Sequence, residues 1–343
     1  MHEVLIAGAL SPNLALWSPF LSHYDFEDRT NLIAANLEFV ALLNYRCIVI
    51  RWRISKQSLA TKTMERTVDP HAVKSVSPMM CVKSISANRS LIYSLVKRDI
   101  IGRYRGSIIG LLWSFFNPLL MLGVYTLVFG VVFHASWSGT GDESMAEFAI
   151  ILFVGLLFYS LFSECLSLAP ILILSNVNYV KKVVFPLEIL PVVTLGAAIF
   201  HLVVGLLVWL IFYLLFFGIP SATILQLPLL ILPLALMTLG FSWFLSSLGV
   251  YMRDVGQVVG VAILVLMFLS PIFYPVDNWP ETLRPLMHLS PLTFIVEQAR
   301  AIMVYGESID LVSWLIYTSI SLVIAWFGYV WFQKTRSGFA DVL

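Results

Sequence analysis

The sequence predicts an all-α polytopic membrane protein with six transmembrane helices, an N-terminal helix in the cytoplasmic interface, and short outer-side helices between spans five and six. Three observations carry this. Of 343 residues, 59% are hydrophobic and 12% charged, about half the charge of an ordinary soluble domain. That charge is uneven, since 14 of the 21 Lys and Arg residues precede Ser107. Beyond Ser107, apolar runs recur at the length of roughly 20 residues that a helix needs to cross a hydrocarbon core about 30 Å thick.

Residues 1–85 are moderately hydrophobic, with scattered charges and Pro12, Pro19, Pro70 and Pro78. The apolar run from Val4 to Leu21 contains two prolines and no basic residue ahead of it, which makes a poor span and a poor signal peptide. A poorly structured extension is expected here, and Met79-Met80 offer an alternative start of translation. Over 86–106, Leu91, Ile92, Leu95, Val96, Ile100, Ile101 and Tyr104 recur at helical spacing, opposite Lys97, Arg98 and Arg105. That pattern describes an amphipathic interfacial helix, whose basic residues meet anionic lipid headgroups or also a cytoplasmic partner.

The six-span portion, 107–343, divides into spans at about 107–134, 147–172, 187–217, 222–251, 255–275 and 309–332. Basic residues set the orientation. Arg89, Lys97, Arg98, Arg103 and Arg105 precede span one, Lys181 and Lys182 follow span two, Arg253 follows span four, and Lys334 and Arg336 close the chain; these sides are cytoplasmic. The alternate connections hold only Arg284 and Arg300, among several acids, and face outward. Both ends of this portion are therefore expected in the cytoplasm, in a multi-pass protein of the cytoplasmic (inner) membrane. The outer connection from Tyr274 to Ser308 is interrupted by Pro275, Pro280, Pro285 and Pro291, yet Leu292, Ile295, Val296, Ala299, Ile302 and Met303 keep helical spacing. Short helices at the outer face, or dipping part way into the membrane, fit it. They form either a lid on a passage or a cap without a gating role.

The chemistry suggested is sparse. Net charge is +1 and the basic residues flank apolar runs, so nucleic acid is not indicated. Cys47, Cys81 and Cys165 have no metal or disulfide spacing. Glu164 and Glu188 sit near span ends where they are expected to reach water, and His201 is expected to be a hydrogen-bonded core residue. The GxxxxGK[ST] phosphate loop is missing, so this chain cannot cradle ATP in the usual way and energy comes from a partner or a gradient.

Four motifs give the chain a resemblance. They are Arg98-Asp99-Ile100-Ile101-Gly102-Arg103-Tyr104-Arg105-Gly106-Ser107 leading into Leu111-Leu112-Trp113-Ser114-Phe115-Phe116-Asn117-Pro118; Asn178-Tyr179-Val180-Lys181-Lys182-Val183-Val184-Phe185-Pro186; Tyr251-Met252-Arg253-Asp254-Val255; and Phe339-Ala340-Asp341-Val342-Leu343. In this order, over about 88–343, the chain resembles the permease subunit of ABC-2 type exporters of lipid-linked polysaccharides such as O-antigen, capsule or teichoic acid. The resemblance implies a homodimer paired with two copies of a cytoplasmic ABC ATPase, which uses the ATP, while this chain binds no cofactor and no metal.

It also implies sites. The connection from Ser175 to Pro186 becomes the ATPase contact, with Asn176 and Asn178 capping a short helix and Lys181 and Lys182 holding it out of the lipid. Lys97, Arg98, Arg103 and Arg105 mark the interfacial helix where the lipid carrier loads. Trp113, Phe116 and Tyr125 line a passage in which sugar C–H faces slide over rings, unless they are plain helix packing. A permease for a drug or small lipid is the near alternative. A membrane-bound glycosyltransferase or polymerase is the remote one, for which Asp142-Glu143 is the only adjacent acidic pair beyond the interfacial helix.

Overall fold

Proline and glycine set where the helices begin and bend. The computed structural model describes residues 77–132, 137, 144–181, 185–276, 279–282, 284–288 and 290–343; the expected extension lies outside them as far as residue 76. Helix α1 (Pro78–Ala87) carries Pro78 in its first turn, where the missing N–H loses no hydrogen bond. Asn88, at φ −100° and ψ 16°, separates it from α2 (Arg89–Tyr104), and its side-chain amide donates to the Ser84 carbonyl at 2.8 Å. The stretch ahead of span one is thus two helices, and helix begins at Pro78, upstream of residue 86. Gly106 and Gly110 then turn the chain in left-handed conformations, φ 88° and 57°, which favour glycine.

Span one is α3 (Trp113–Tyr125), entered through a 3-10 turn and continued by a π-helical segment, Thr126–Val132. Span two is α4 (Met145–Leu172), capped by Ser144, whose hydroxyl accepts from the Glu147 N–H at 3.2 Å. A short α5 (Val177–Lys181) follows. Spans three and four are α6 (Leu190–Phe216) and α7 (Leu227–Tyr251), each prefaced by a 3-10 turn. Next come α8 (Val255–Leu269), α9 (Arg284–His288), and α10 (Thr293–Arg300) with a π segment at Ala301–Tyr305. Span six, α11 (Leu311–Thr335), is capped by Asp310, which accepts from Val312 N–H at 3.1 Å. A last short helix, α12 (Phe339–Val342), ends the chain.

Five of these, Gly110–Phe129, Met145–Leu172, Leu187–Phe216, Ala222–Tyr251 and Leu311–Val342, are long and apolar enough to cross a bilayer. The expected fifth span, 255–275, is a 15-residue apolar helix instead. It stops because Ser270, preceding Pro271, adopts the extended backbone that proline imposes on its neighbour, φ −90° and ψ 149°. The Ser270 hydroxyl then donates to the Leu266 carbonyl at 2.7 Å.

Helix α4 is the axis of the bundle, and α6, α7, α8 and α10 pack around it. Lipid tails are as apolar as leucine, so close packing rather than water exclusion holds such helices together. Helices α7 and α11 meet backbone to backbone: a Cβ on Gly328 would lie 2.0 Å from the Gly240 carbonyl oxygen. Gly249 approaches the Pro170 carbonyl as closely, and Gly196 of α6 admits Val96 of α2. By contrast α8 buries only Val255, Val259 and Ile263, leaving Val258, Val261, Leu264, Val265 and Phe268 exposed. Trp113, Phe116, Leu120, Val124 and Leu127 form a similarly open face on span one.

A buried ion pair ties the ends of this unit. Glu188 is 1% exposed, which corrects the expectation that it reaches water. Its carboxylate accepts from Arg336 at 2.7 Å and from the Ser84 hydroxyl at 2.9 Å, while its backbone carbonyl accepts from the Trp243 indole at 2.9 Å. Arg336, expected in a solvated tail, is also buried and donates to the Phe185 carbonyl at 3.1 Å. Cys81 of α1 packs beside them; burial, and then the Glu188 charge, push its thiol up to about 12, so it stays protonated.

Candidate functional site

Helix α2 and the first three spans enclose a cavity of about 340 Å³. Span one contributes Ser114, Asn117, Pro118, Met121 and Tyr125 at roughly helical spacing. Span two contributes Phe153, Leu156, Tyr159, Ser160 and Glu164, and span three Ala198, His201 and Leu202. Span two is otherwise buried over most of its length, and between Tyr159 and Ser167 the residues it leaves accessible are all polar: Tyr159, Ser160, Ser163, Glu164 and Ser167. The Ser160 hydroxyl donates to the Leu156 carbonyl one turn back, which leaves its lone pairs as acceptors on the wall beside the Tyr104, Ser114, Tyr125 and Tyr159 hydroxyls; Ser163 and Ser167 bond back in the same way but do not line the cavity. A hydroxyl-rich, apolar-bordered wall of this kind suits a neutral polar chain better than lipid.

The end of the cavity nearest α2 is closed by a polar network. Arg103 donates to Glu164 and, at 3.3 Å, to Asp99. The His201 Nδ1–H donates to Glu164 Oε2 at 2.9 Å, so in the neutral ring Nε2 accepts from the Tyr104 hydroxyl at 3.2 Å. His201 is therefore hydrogen-bonded at both nitrogens, as expected of it. Burial pulls the Arg103 pKa down, but the adjacent Glu164 and Asp99 outweigh it and hold the guanidinium above its ordinary value. Two carboxylates against one guanidinium and one imidazole leave no net positive charge in either protonation state of the ring, so the cluster is a cross-tie between α2 and spans two and three. It is not an anion trap.

The expected site residues divide between places. Tyr125 lines the cavity and joins an aromatic cluster, its ring 5.5 Å from Phe273 and 6.4 Å from Phe129. Trp113 and Phe116, each 40% exposed, lie on the open face of span one, away from the cavity. Among the interfacial residues, Lys97 and Arg105 are exposed, Arg103 is committed to Glu164 and Asp99, and Arg98 donates to the Tyr179 hydroxyl at 3.0 Å.

That bond connects α2 to α5, whose Asn178 and Lys181 are exposed; Lys182 lies outside the described residues. Asn176 does not cap α5. Its side-chain amide donates to the Leu172 carbonyl at 2.9 Å and closes the end of span two, because the 3-10 turn Leu174–Asn176 carries it back over that terminus. The Tyr179 ring stacks on Phe185 with centroids 4.4 Å apart and planes 9° from parallel, and Arg336 holds the Phe185 carbonyl. The segment around α5 is therefore braced from both flanks.

Sequence reasoning missed the two arginines that the fold takes inward. Arg336 and Arg300 were both counted as loop charges, and both are 3% exposed. A usable signal existed in Arg300, which stands on the same helical face as buried Val296 and Met303.

The ABC-2 type transporter family profile matches residues 90–304. The chain is similar to the O-antigen export system permease protein RfbA of Myxococcus xanthus, 28% identical over 262 residues, covering 76% of this chain and 98% of that protein. It is also similar to a protein of the same name from Klebsiella pneumoniae, 25% identical over 255 residues, covering 74% and 95%.

Proposed function

Since this chain belongs to the ABC-2 type transporter family, we propose that it is the permease subunit of an ATP-driven exporter that moves a lipid-linked polysaccharide of O-antigen, capsule or teichoic acid type across the cytoplasmic membrane. The observation that carries this is the near end-to-end match to relatives named as O-antigen export permeases, 98% of the length in one case. The hydroxyl-bordered cavity supports it, because sugar hydroxyls can hydrogen-bond to the serine, tyrosine and asparagine side chains that line it.

In this reading two copies of the chain pair with two cytoplasmic ATPase subunits, which bind and hydrolyse the ATP. The exposed Asn178 and Lys181 of α5 meet the ATPase. Movement there passes through the Arg98–Tyr179 bond into α2, and from α2 through Arg103 to Glu164 and His201 at the cavity. The lipid carrier loads beside α2, and the glycan follows along spans one and two. The one-edge attachment of α8 and the open face of span one leave these helices free to move apart from the rigid pair α7 and α11.

The test is reconstitution of the chain with its ATPase in vesicles holding a lipid-linked glycan. ATP-dependent appearance of glycan in the opposite compartment is the expected result. Transport of an amphipathic drug or short lipid with the glycan left in place would favour the small-substrate permease instead.

A further inference from the structure

Arg300 is a buried cation that the export mechanism above does not use. It ends α10 and is 3% exposed. Its guanidinium donates to three backbone carbonyls on two other elements: Nε to Ile151 of span two at 3.1 Å, Nη1 to Pro271, and Nη2 to Ile272 at 2.8 Å. The Trp137 ring lies against its Cζ, 3.9 Å from the ring centroid. The carbonyls of Pro271 and Ile272 follow the end of α8 and so have no helical partner of their own. Bare carbonyls at membrane depth are costly, and one planar group with five donors satisfies both at once. The carbonyl dipoles and the indole face in turn stabilise the charge. Gly155 is part of the same fit, since a Cβ there would lie 2.9 Å from Nη2.

The consequence lies in what Ile272 carries next to it. The ring of Phe273 stacks on Phe129, in the π segment of span one, with centroids 4.5 Å apart, and also faces Tyr125 and Phe268. The insert is also held at Pro291 and Ile302: the Tyr317 hydroxyl of α11 donates to the Pro291 carbonyl at 2.6 Å, and Thr223 donates to the Ile302 carbonyl at 2.8 Å. We infer that Arg300 is a positioning residue that makes the outer insert a rigid extension of span two and α8, holding Phe273 against span one so that the outer end of the transport path is sealed at rest. This rests on the exporter reading for the existence of a path. The insert is then not a swinging lid, because opening requires span one to leave Phe273.

The test is the potassium leak of vesicles of phosphatidylethanolamine and phosphatidylglycerol carrying the inserted permease, without ATP, ATPase or glycan. R300K keeps the charge but cannot reach three carbonyls in one plane, and several-fold faster leak than the parent is expected. F129L removes the opposing ring from a half-buried position, and G155A crowds the guanidinium; each is expected to leak in the same direction. The decision is taken from F129L and G155A if R300K does not insert. Inserted variants as tight as the parent overturn the proposal. So does faster hydrogen exchange over 293–305 without leak, since that marks Arg300 as a merely structural residue. Failure of glycan transport by the parent is read in the separate ATP-driven assay and bears on the exporter reading instead.

Discussion

Replacing Arg336 by Gln should destabilise the permease by about 3–5 kcal/mol, the cost typical of removing one partner from a buried ion pair. The magnitude follows from what remains. Glu188, 1% exposed, would keep the Ser84 hydroxyl at 2.9 Å and lose the guanidinium at 2.7 Å. The Phe185 carbonyl would lose its donor too, loosening the ring that braces Tyr179. In E188Q/R336Q no charge is left stranded, so the double variant should recover about 2 kcal/mol relative to the sum of the two single changes. Thermal and denaturant unfolding in detergent, followed by hydrogen exchange over 177–189, measures both. An R336Q cost below about 1 kcal/mol, or strict additivity of the pair, would refute the argument that this ion pair fastens the ends of the unit.

Two further outcomes are expected. G328A places a methyl 2.0 Å from the Gly240 carbonyl oxygen, where backbone cannot yield as a side chain tip does, so it should cost about 3 kcal/mol or more and reduce assembled protein in membranes; wild-type abundance and unfolding midpoint would contradict the backbone-to-backbone packing of α7 and α11. Alanine at Trp113, Phe116 and Tyr125 should slow export of long glycans more than short ones, compared at equal abundance; Trp113 and Phe116 are each 40% exposed, so folding should suffer less there than at Tyr125, and export of every length at the parental rate would make these rings packing or lipid contacts.

Much of this fold is legible in the sequence because lipid imposes one simple rule, a helix long enough and apolar enough, and five elements obey it. Periodicity also located α2 and the apolar face of α10, whose Ile295, Val296 and Ala299 are all buried. Span five was overrun because its apolar composition continues through Pro271 to Tyr274 although its backbone does not. The candidate site was less legible, for a physical reason. Counting charges in connections assumes that each one points to water, and Arg300, Arg336 and Glu188 fold back to satisfy carbonyls or each other. Likewise Arg103 reads as a free cation until Glu164, 61 residues away, is placed beside it. Pairings at such separation leave no local pattern in the chain.

The shortness of α8 has a consequence for the lipid around it. Its 15 residues span about 22 Å, against a hydrocarbon thickness of about 30 Å. The difference is a hydrophobic mismatch, which a bilayer meets by deforming elastically toward the shorter element. Here the strain falls on one flank of the subunit, since spans two, three, four and six are all long enough to leave the membrane at rest. A bilayer in contact with α8 would therefore be thinner there than beside those spans. Headgroups of the two leaflets would approach each other at that flank, and the dry distance for anything moving between them would be correspondingly shorter.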